Sequence, residues 1–227
     1  FDEHYSTRIL LYNYLSLLAN KEFPVEWEVI LYSSQGDRIF RRQGRFSKEE
    51  LVVVDLDEIK PKSPYGVVVC HLRPAHSRLA LFKFYETVFF TEHYHRSEVY
   101  HDVAHSLRYP LPFNYGNKTI GEAFFFLSKA TPYLIIGNAF RSPMPLHRMR
   151  PCEPKISLVN YRRESKFFAL PAIPSLGCLK VNLAELFPGI YEYFDGRPGL
   201  IRLQGANVMR KPFFYQSDGA FIASDHL

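Results

Sequence analysis

The chain has 227 residues, of which 28 are Lys or Arg and 23 are Asp or Glu, so its formal net charge is +5. No stretch approaches the 18 consecutive apolar residues of a membrane-spanning helix, so the sequence predicts no membrane span. Three cysteines are too few for the disulfide framework of a small secreted domain, and unpaired cysteines favour the cytoplasm.

The positive charge is concentrated in the second half of the chain. Residues 1–112 contain 14 Lys or Arg and 15 Asp or Glu, whereas residues 113–227 contain 14 and 8. An excess of this kind suits an anionic partner. Because no run of Lys and Arg is longer than two, we do not expect nucleic acid to be that partner.

Short strands separated by turns are the dominant pattern of the first half. Val25, Trp27 and Val29 alternate with Glu26 and Glu28, which is the period-two pattern of a strand with one buried face. The same reasoning predicts about seven strands, at 8–13, 25–32, 38–42, 51–56, 66–72, 79–85 and 87–92.

Two segments of the first half also fit a helix. Residues 6–23 have an apolar helical stripe, but the corresponding part of the second half contains Pro and Gly, which favours a strand followed by a loop. Residues 98–109 are the better helix candidate because they contain no Gly or Pro. In that segment Val99, Val103 and Leu107 recur every four residues, as on one helix face.

The second half of the chain repeats the first. Residues 66–93 align with 199–226 without a gap, at a constant numbering offset of 133 between Gly66 and Gly199. A second pair of matching segments, 54–61 and 181–188, is related by an offset of 127. We therefore predict an all-β protein of two tandem immunoglobulin-like antiparallel β-sandwich domains related by the internal repeat. The predicted domains are residues 1–110 and 111–227.

Six of the nine histidines lie within residues 71–105. His93 and His95 would share one face of a strand, and His101 and His105 would share one face of the predicted helix. Imidazole is a common ligand of zinc and iron, so these four histidines are a candidate metal site. The carboxylates available nearby are Glu98 and Asp102. The other interpretation is an ordinary polar domain edge.

An acidic residue followed by histidine ends the last predicted strand of each repeat. The two pairs are Glu92-His93 and Asp225-His226, and we predict them as equivalent binding residues. Neighbouring residues on a strand face opposite ways, so neither pair can act as a joint proton relay without a bulge. The alternative is a histidine that bonds a backbone carbonyl at the domain edge.

A basic, proline-containing loop at 141–150 differs from its apolar counterpart at 16–24. Loops that differ between copies are places where function can diverge, so this loop is a predicted binding site for an anionic group. A solvated or partner-covered insertion is the alternative. Its predicted binding residues are Arg141, His147, Arg148 and Arg150.

Common catalytic signatures are missing from the sequence, which has no nucleophile elbow, P-loop, dinucleotide fingerprint or CxxC pair. We therefore predict a non-enzymatic binding or structural module, without a cofactor, that recognises a carbohydrate, an anionic polymer or a protein partner. The alternative is a metal-dependent enzyme that uses zinc or iron at the histidine-rich end of the first repeat. A third hypothesis is a homo-oligomer built through exposed sheet edges.

Overall fold

The structure, a computed structural model, describes residues 1–3, 5–13, 16, 20–46, 50–74, 89–95, 98–104, 119–138, 151–205, 213–218 and 222–226. Within these ranges, the backbone alone is described at 73–74, 89–95, 98–104, 119–124 and 222–226. The described chain is mostly strand, and every strand pair is antiparallel, so the all-β prediction is confirmed. The chain divides into two compact units, Phe1–Ser33 with Asp37–Tyr109 and Ser34–Gly36 with Pro110–Leu227.

In the part of the first unit that the structure describes, seven strands form two sheets. The first sheet has the order β4-β1-β6-β7 and the second has the order β3-β2-β5. The strands are β1 (Ser6–Tyr12), β2 (Val25–Ser33), β3 (Arg38–Phe46), β4 (Leu51–Asp55), β5 (Gly66–Pro74), β6 (Phe89–His95) and β7 (Glu98–Ala104). A short helix, α1 (Leu56–Ile59), directly follows β4.

Buried side chains from both sheets of the first unit belong to one hydrophobic cluster. Ile9 and Leu11 of β1 and Val29 and Leu31 of β2 are completely buried. They alternate along each strand, as the period-two pattern of β2 predicts. Full burial of such a side chain stabilises the fold by about 1.5–3 kcal/mol. A core shared by two sheets is consistent with a β-sandwich.

The described strands of the second unit form two four-stranded sheets, with the orders β12-β9-β14-β15 and β11-β10-β13-β8. Its strands are β8 (Thr119–Phe125), β9 (Thr131–Gly137), β10 (Lys155–Val159), β11 (Ser165–Ala169), β12 (Cys178–Asn182), β13 (Gly199–Gln204), β14 (Phe213–Ser217) and β15 (Ile222–His226). Two short helices, α2 (Leu183–Leu186) and α3 (Ile190–Phe194), lie between β12 and β13. Phe125 packs edge-on against Phe194 at 4.9 Å between ring centres and contacts Phe214 at 5.4 Å, inside the core of this unit.

The order of the described strands differs from that of an immunoglobulin domain, so the immunoglobulin-like part of the prediction is not confirmed. In the immunoglobulin fold the first, second, fifth and fourth strands lie together in one sheet. Here β2 lies between β3 and β5, whereas β1 lies between β4 and β6. Because both sides of β1 and of β2 are occupied, the two strands belong to different sheets. Strand spacing in the sequence does not determine which strands pair.

The segment predicted as a helix at 98–109 forms a strand where the structure describes it. Residues 98–104 are β7, which pairs with β6 so that Glu98 lies opposite His95 and Val103 opposite Phe90. Val99, Tyr100 and Val103 have the β-branched and aromatic side chains that suit a strand. The four-residue spacing of Val99 and Val103 satisfies an alternating pattern as well as a helical one. Residues 105–109 lie outside the described residues.

The N-terminal segment forms a strand rather than a helix where the structure describes it, since β1 occupies Ser6–Tyr12.

The matching motifs Val54-Asp55-Leu56 and Val181-Asn182-Leu183 each end a strand and begin a short helix. The Asp55 side chain accepts a hydrogen bond from the Asp57 N–H at 3.0 Å. Asn182 caps α2 in the same way, accepting from the Ala184 N–H at 3.0 Å. Such caps are worth about 1 kcal/mol each.

Candidate functional site

Four exposed arginines lie on one edge strand of the first unit. Arg38, Arg41, Arg42 and Arg45 all lie on β3 and all are exposed. β3 is the end strand of its sheet and is anchored by Phe46, which is completely buried. The eight residue pairs between β2 and β3 therefore hold these guanidinium groups on a rigid strand, with Arg41 and Arg45 on one face of the sheet and Arg42 on the other.

The arginines of β3 differ in how far acidic neighbours neutralise them. Arg41 binds Glu28 through Nη2 at 2.6 Å and donates from Nε at 2.7 Å. Among the described residues, this is the one ion pair formed by a β3 arginine. Arg45 is in register with Glu26, and Arg38 lies close enough to Tyr32 to oppose the rise in the Tyr32 pKa that burial causes. Arg38, Arg42 and Arg45 thus form no ion pair among the described residues, and their positive charge is available to a ligand.

Arg42 is held by the aromatic ring of Trp27. Its guanidinium carbon lies 6.0 Å from the Trp27 ring centre, at the outer limit of a cation–π contact. Trp27 lies opposite Gly44 of β3, and a Cβ at Gly44 would lie 2.6–2.8 Å from the indole ring. The missing side chain of Gly44 lets the indole ring approach β3 closely, within reach of Arg42.

The β3 cluster was not predicted as a site from the sequence. The charge count of residues 1–112 is nearly balanced, so averaging concealed the local excess. The signal that could have found it is the segment Arg38-Ile-Phe-Arg-Arg-Gln-Gly-Arg45, which has four arginines in eight residues and no acidic residue.

The predicted acid–histidine pairs lie on strands with different positions in their sheets. Glu92 and His93 lie on β6, the neighbour of β1, whereas Asp225 and His226 lie on β15, the end strand among the described strands of its sheet. Their role as binding residues stays a prediction.

The hydrogen-bonded registers explain the mismatch. Val54 and Val181, in the matching motifs, pair with Ile9 and Leu134 respectively. Ile9 then pairs with Thr91, and Leu134 pairs with Phe214. The offset therefore falls from 133 at Gly66 and Gly199 to 123 at Thr91 and Phe214, because the connection from β5 to β6 is longer than that from β13 to β14.

The four predicted metal-ligating histidines are not brought to one face. His93 and His95 are two residues apart on β6 and so share a face, to which Glu98 also belongs because it pairs with His95. His101 pairs with Glu92 and therefore belongs to the opposite face. The helix that would have aligned His101 with His105 is replaced by β7, and His105 lies outside the described residues.

Metal ligation by cysteine is not supported. None of the three cysteines forms a disulfide, and burial raises the pKa of the Cys70 thiol and raises that of Cys152 to about 12. Both thiols are therefore protonated at neutral pH, whereas metals bind the thiolate. Among the residues whose side chains the structure describes, no group of three or more His, Cys, Asp or Glu residues is placed to hold a metal ion.

The predicted basic loop, with Arg141, His147, Arg148 and Arg150, lies outside the described residues, and its role stays a prediction.

Among the described helices, none has the length and apolar character needed to cross a bilayer. No protein-family model and no curated protein matches this chain.

Proposed function

We propose that the protein is a non-enzymatic module that binds an anionic polymer through the arginine row of β3. The observation that supports this proposal is the exposure of four arginines on one edge strand, of which Arg41 alone has an ion pair among the described residues. Guanidinium groups bind carboxylate, sulfate and phosphate oxygens in a bidentate manner, and a polymer that follows the sheet edge can contact arginines from both faces of β3. A polymer with repeated anionic groups can engage several of them at once.

Charged residues on an edge strand have a second use, because they prevent unwanted strand pairing. Binding of a polymer makes a prediction that the prevention of strand pairing does not make. It predicts an affinity that depends on Arg38, Arg42 and Arg45 together and that falls as salt screens the charges.

The test replaces Arg38, Arg42 and Arg45 with Gln and measures binding to heparin as the anionic probe and to dextran as the neutral one. We expect heparin affinity to fall at least tenfold, with a smaller dependence on salt, because three of the positive charges that attract the polymer are removed. Dextran should bind neither protein, because the attraction comes from charge.

The matched control replaces Lys21, Lys60 and Lys62, three exposed lysines of the same unit, with Gln. It lowers the net charge by the same three units and should leave most of the heparin affinity intact. Equal losses in the two triple variants would mean that net charge alone attracts the polymer. Unchanged binding in the β3 variant would remove β3 as the site.

We also propose that the two units are copies of one β-sandwich, with domains at residues 1–110 and 111–227. The corresponding sheets have the same order, since β4-β1-β6-β7 and β12-β9-β14-β15 use their strands identically. The capping residues Asp55 and Asn182 support the same relation. β8 is an addition to the second unit that has no described counterpart in the first.

A second candidate function, a metal-dependent enzyme, rests on the register that puts His93, His95 and Glu98 on one face of the β6–β7 pair. Two histidines and one carboxylate are a set that suits iron or zinc. Elemental analysis of purified protein should then find close to one equivalent of metal, which His95→Ala abolishes and His101→Ala retains. Less than about a tenth of an equivalent in the unaltered protein would exclude this function.

A further inference from the structure

A glutamate of β2 has an arginine on one side and a histidine on the other. Glu28 forms the 2.6 Å ion pair with Arg41 of β3, on the face of the sheet opposite the core. On the other side of β2, Glu28 is in register with His71 of β5. Directly opposite residues on antiparallel strands have Cβ atoms about 4.5–5.5 Å apart. One carboxylate therefore lies next to a permanent cation and a side chain that can become a cation.

The two members of the ion pair differ in their access to water. The Glu28 side chain is 17% exposed, whereas that of Arg41 is 52% exposed. Shielding from water strengthens the effect of a nearby charge on a carboxylate. Glu28 is therefore placed to respond to a charge on His71. The guanidinium of Arg41 is open to a ligand once Glu28 no longer holds it.

The other charged or titratable residues on this face do not change charge as the pH varies around neutrality. Histidine is the side-chain type whose charge ordinarily changes between about pH 5 and 8. Arginine stays protonated, and burial raises the pKa of Tyr32 from a value that is already alkaline. By their registers, the other members among the described residues are Arg38 and Arg45 of β3, Glu26 and Tyr32 of β2, and Arg73 of β5.

We propose that His71 regulates the polymer site of β3 by pH. Protonated His71 competes with Arg41 for Glu28, and the released Arg41 becomes a fourth arginine for the anionic polymer. Above neutral pH the imidazole is uncharged and Arg41 stays bound to Glu28, so polymer affinity rises as the pH falls. This proposal rests on the function proposed above, because it concerns the ligand of the same strand.

The experiment measures heparin affinity at constant salt, at about pH 8 and about pH 5.5, which cover the change of charge of histidine. The variants are His71→Gln and Glu28→Gln. We expect the gain in affinity on acidification to be at least about threefold smaller in His71→Gln than in the unaltered protein. Glu28→Gln should bind heparin more tightly than the unaltered protein at pH 8, because Arg41 is already released. Its gain on acidification should be as small as that of His71→Gln.

The matched control is His101→Gln, which removes a histidine from β7 in the other sheet of the same unit. It should keep the full gain on acidification, because it leaves Glu28 and Arg41 unchanged. Equal losses of the gain in His101→Gln and His71→Gln would overturn the proposal, since any histidine charge would then serve. Circular dichroism at both pH values checks that each variant is folded.

Two further outcomes overturn the role of His71. One is a full gain in His71→Gln. The other is a full gain in Glu28→Gln, because His71 would then act through its own charge rather than through Glu28. The triple substitution of Arg38, Arg42 and Arg45 separates this result from a failure of the polymer site. If the triple variant loses heparin affinity while His71→Gln keeps the gain, only the role of His71 is excluded. If the triple variant keeps its affinity, the polymer site and its regulation are both excluded.

Discussion

At the scale of single residues, the support of Arg42 depends on the absence of a side chain at Gly44. The Trp27 ring occupies the space that a Cβ at Gly44 would need, and it also contacts Phe46 with 6.3 Å between ring centres. Trp27 is therefore part of the core and part of the surface that carries Arg42. The same contact links stability to the candidate binding strand.

This contact predicts that Gly44→Ala destabilises the protein by about 1–3 kcal/mol, because the ring or the strand must move to admit the methyl group. Urea denaturation measures the change. Gly189→Ala is the control, since a Cβ there would meet only an ordinary contact at 3.6 Å from Phe187. A fully stable Gly44→Ala variant would show that Trp27 is not held against β3.

At the scale of elements, strands with clear alternation could be predicted from the sequence. The pattern of Val25, Trp27 and Val29 predicts β2, because every second residue enters the core. The matching Val-Asp-Leu and Val-Asn-Leu motifs predict corresponding strands β4 and β12. The short helices that follow them were not predicted, because four residues are too few to show a helical period.

The sequence could not distinguish strand from helix at 98–104, since Val99 and Val103 fit both periods. Pairing with β6 decides between them, and that pairing involves a tertiary contact that a local pattern does not encode. The incorrect helix prediction also affected the candidate metal site. His101 was assigned to a helix face with His105, whereas on a strand it belongs to the face opposite His93.

At the scale of the whole molecule, the repeat was recognisable but its alignment could not be extended safely. The offset of 133 holds where Gly66 and Gly199 begin corresponding strands, and it fails once the connections of unequal length have been passed. Sheet order, which sequence spacing does not determine, gives Thr91 and Phe214 the same register position relative to the matching motifs. For the same reason the sequence could not establish an immunoglobulin strand order.

The apparent distribution of charge depends on the length of chain over which it is counted. When charges are counted over each half of the chain, the first half is nearly neutral and the second half carries the excess of positive charge. The fold changes this view, because pairing with β2 exposes the arginines of β3 on one edge strand while Glu26 and Glu28 lie on the neighbouring strand. The proposed polymer site therefore belongs to the first unit.

Arginine modification with phenylglyoxal, read by mass spectrometry with and without heparin, tests the polymer site most directly in the unaltered protein. The account predicts that heparin protects Arg38, Arg42 and Arg45, whereas the exposed Arg163 and Arg197 of the second unit stay reactive. Protection confined to the 141–150 segment, or equal at every arginine, would contradict it.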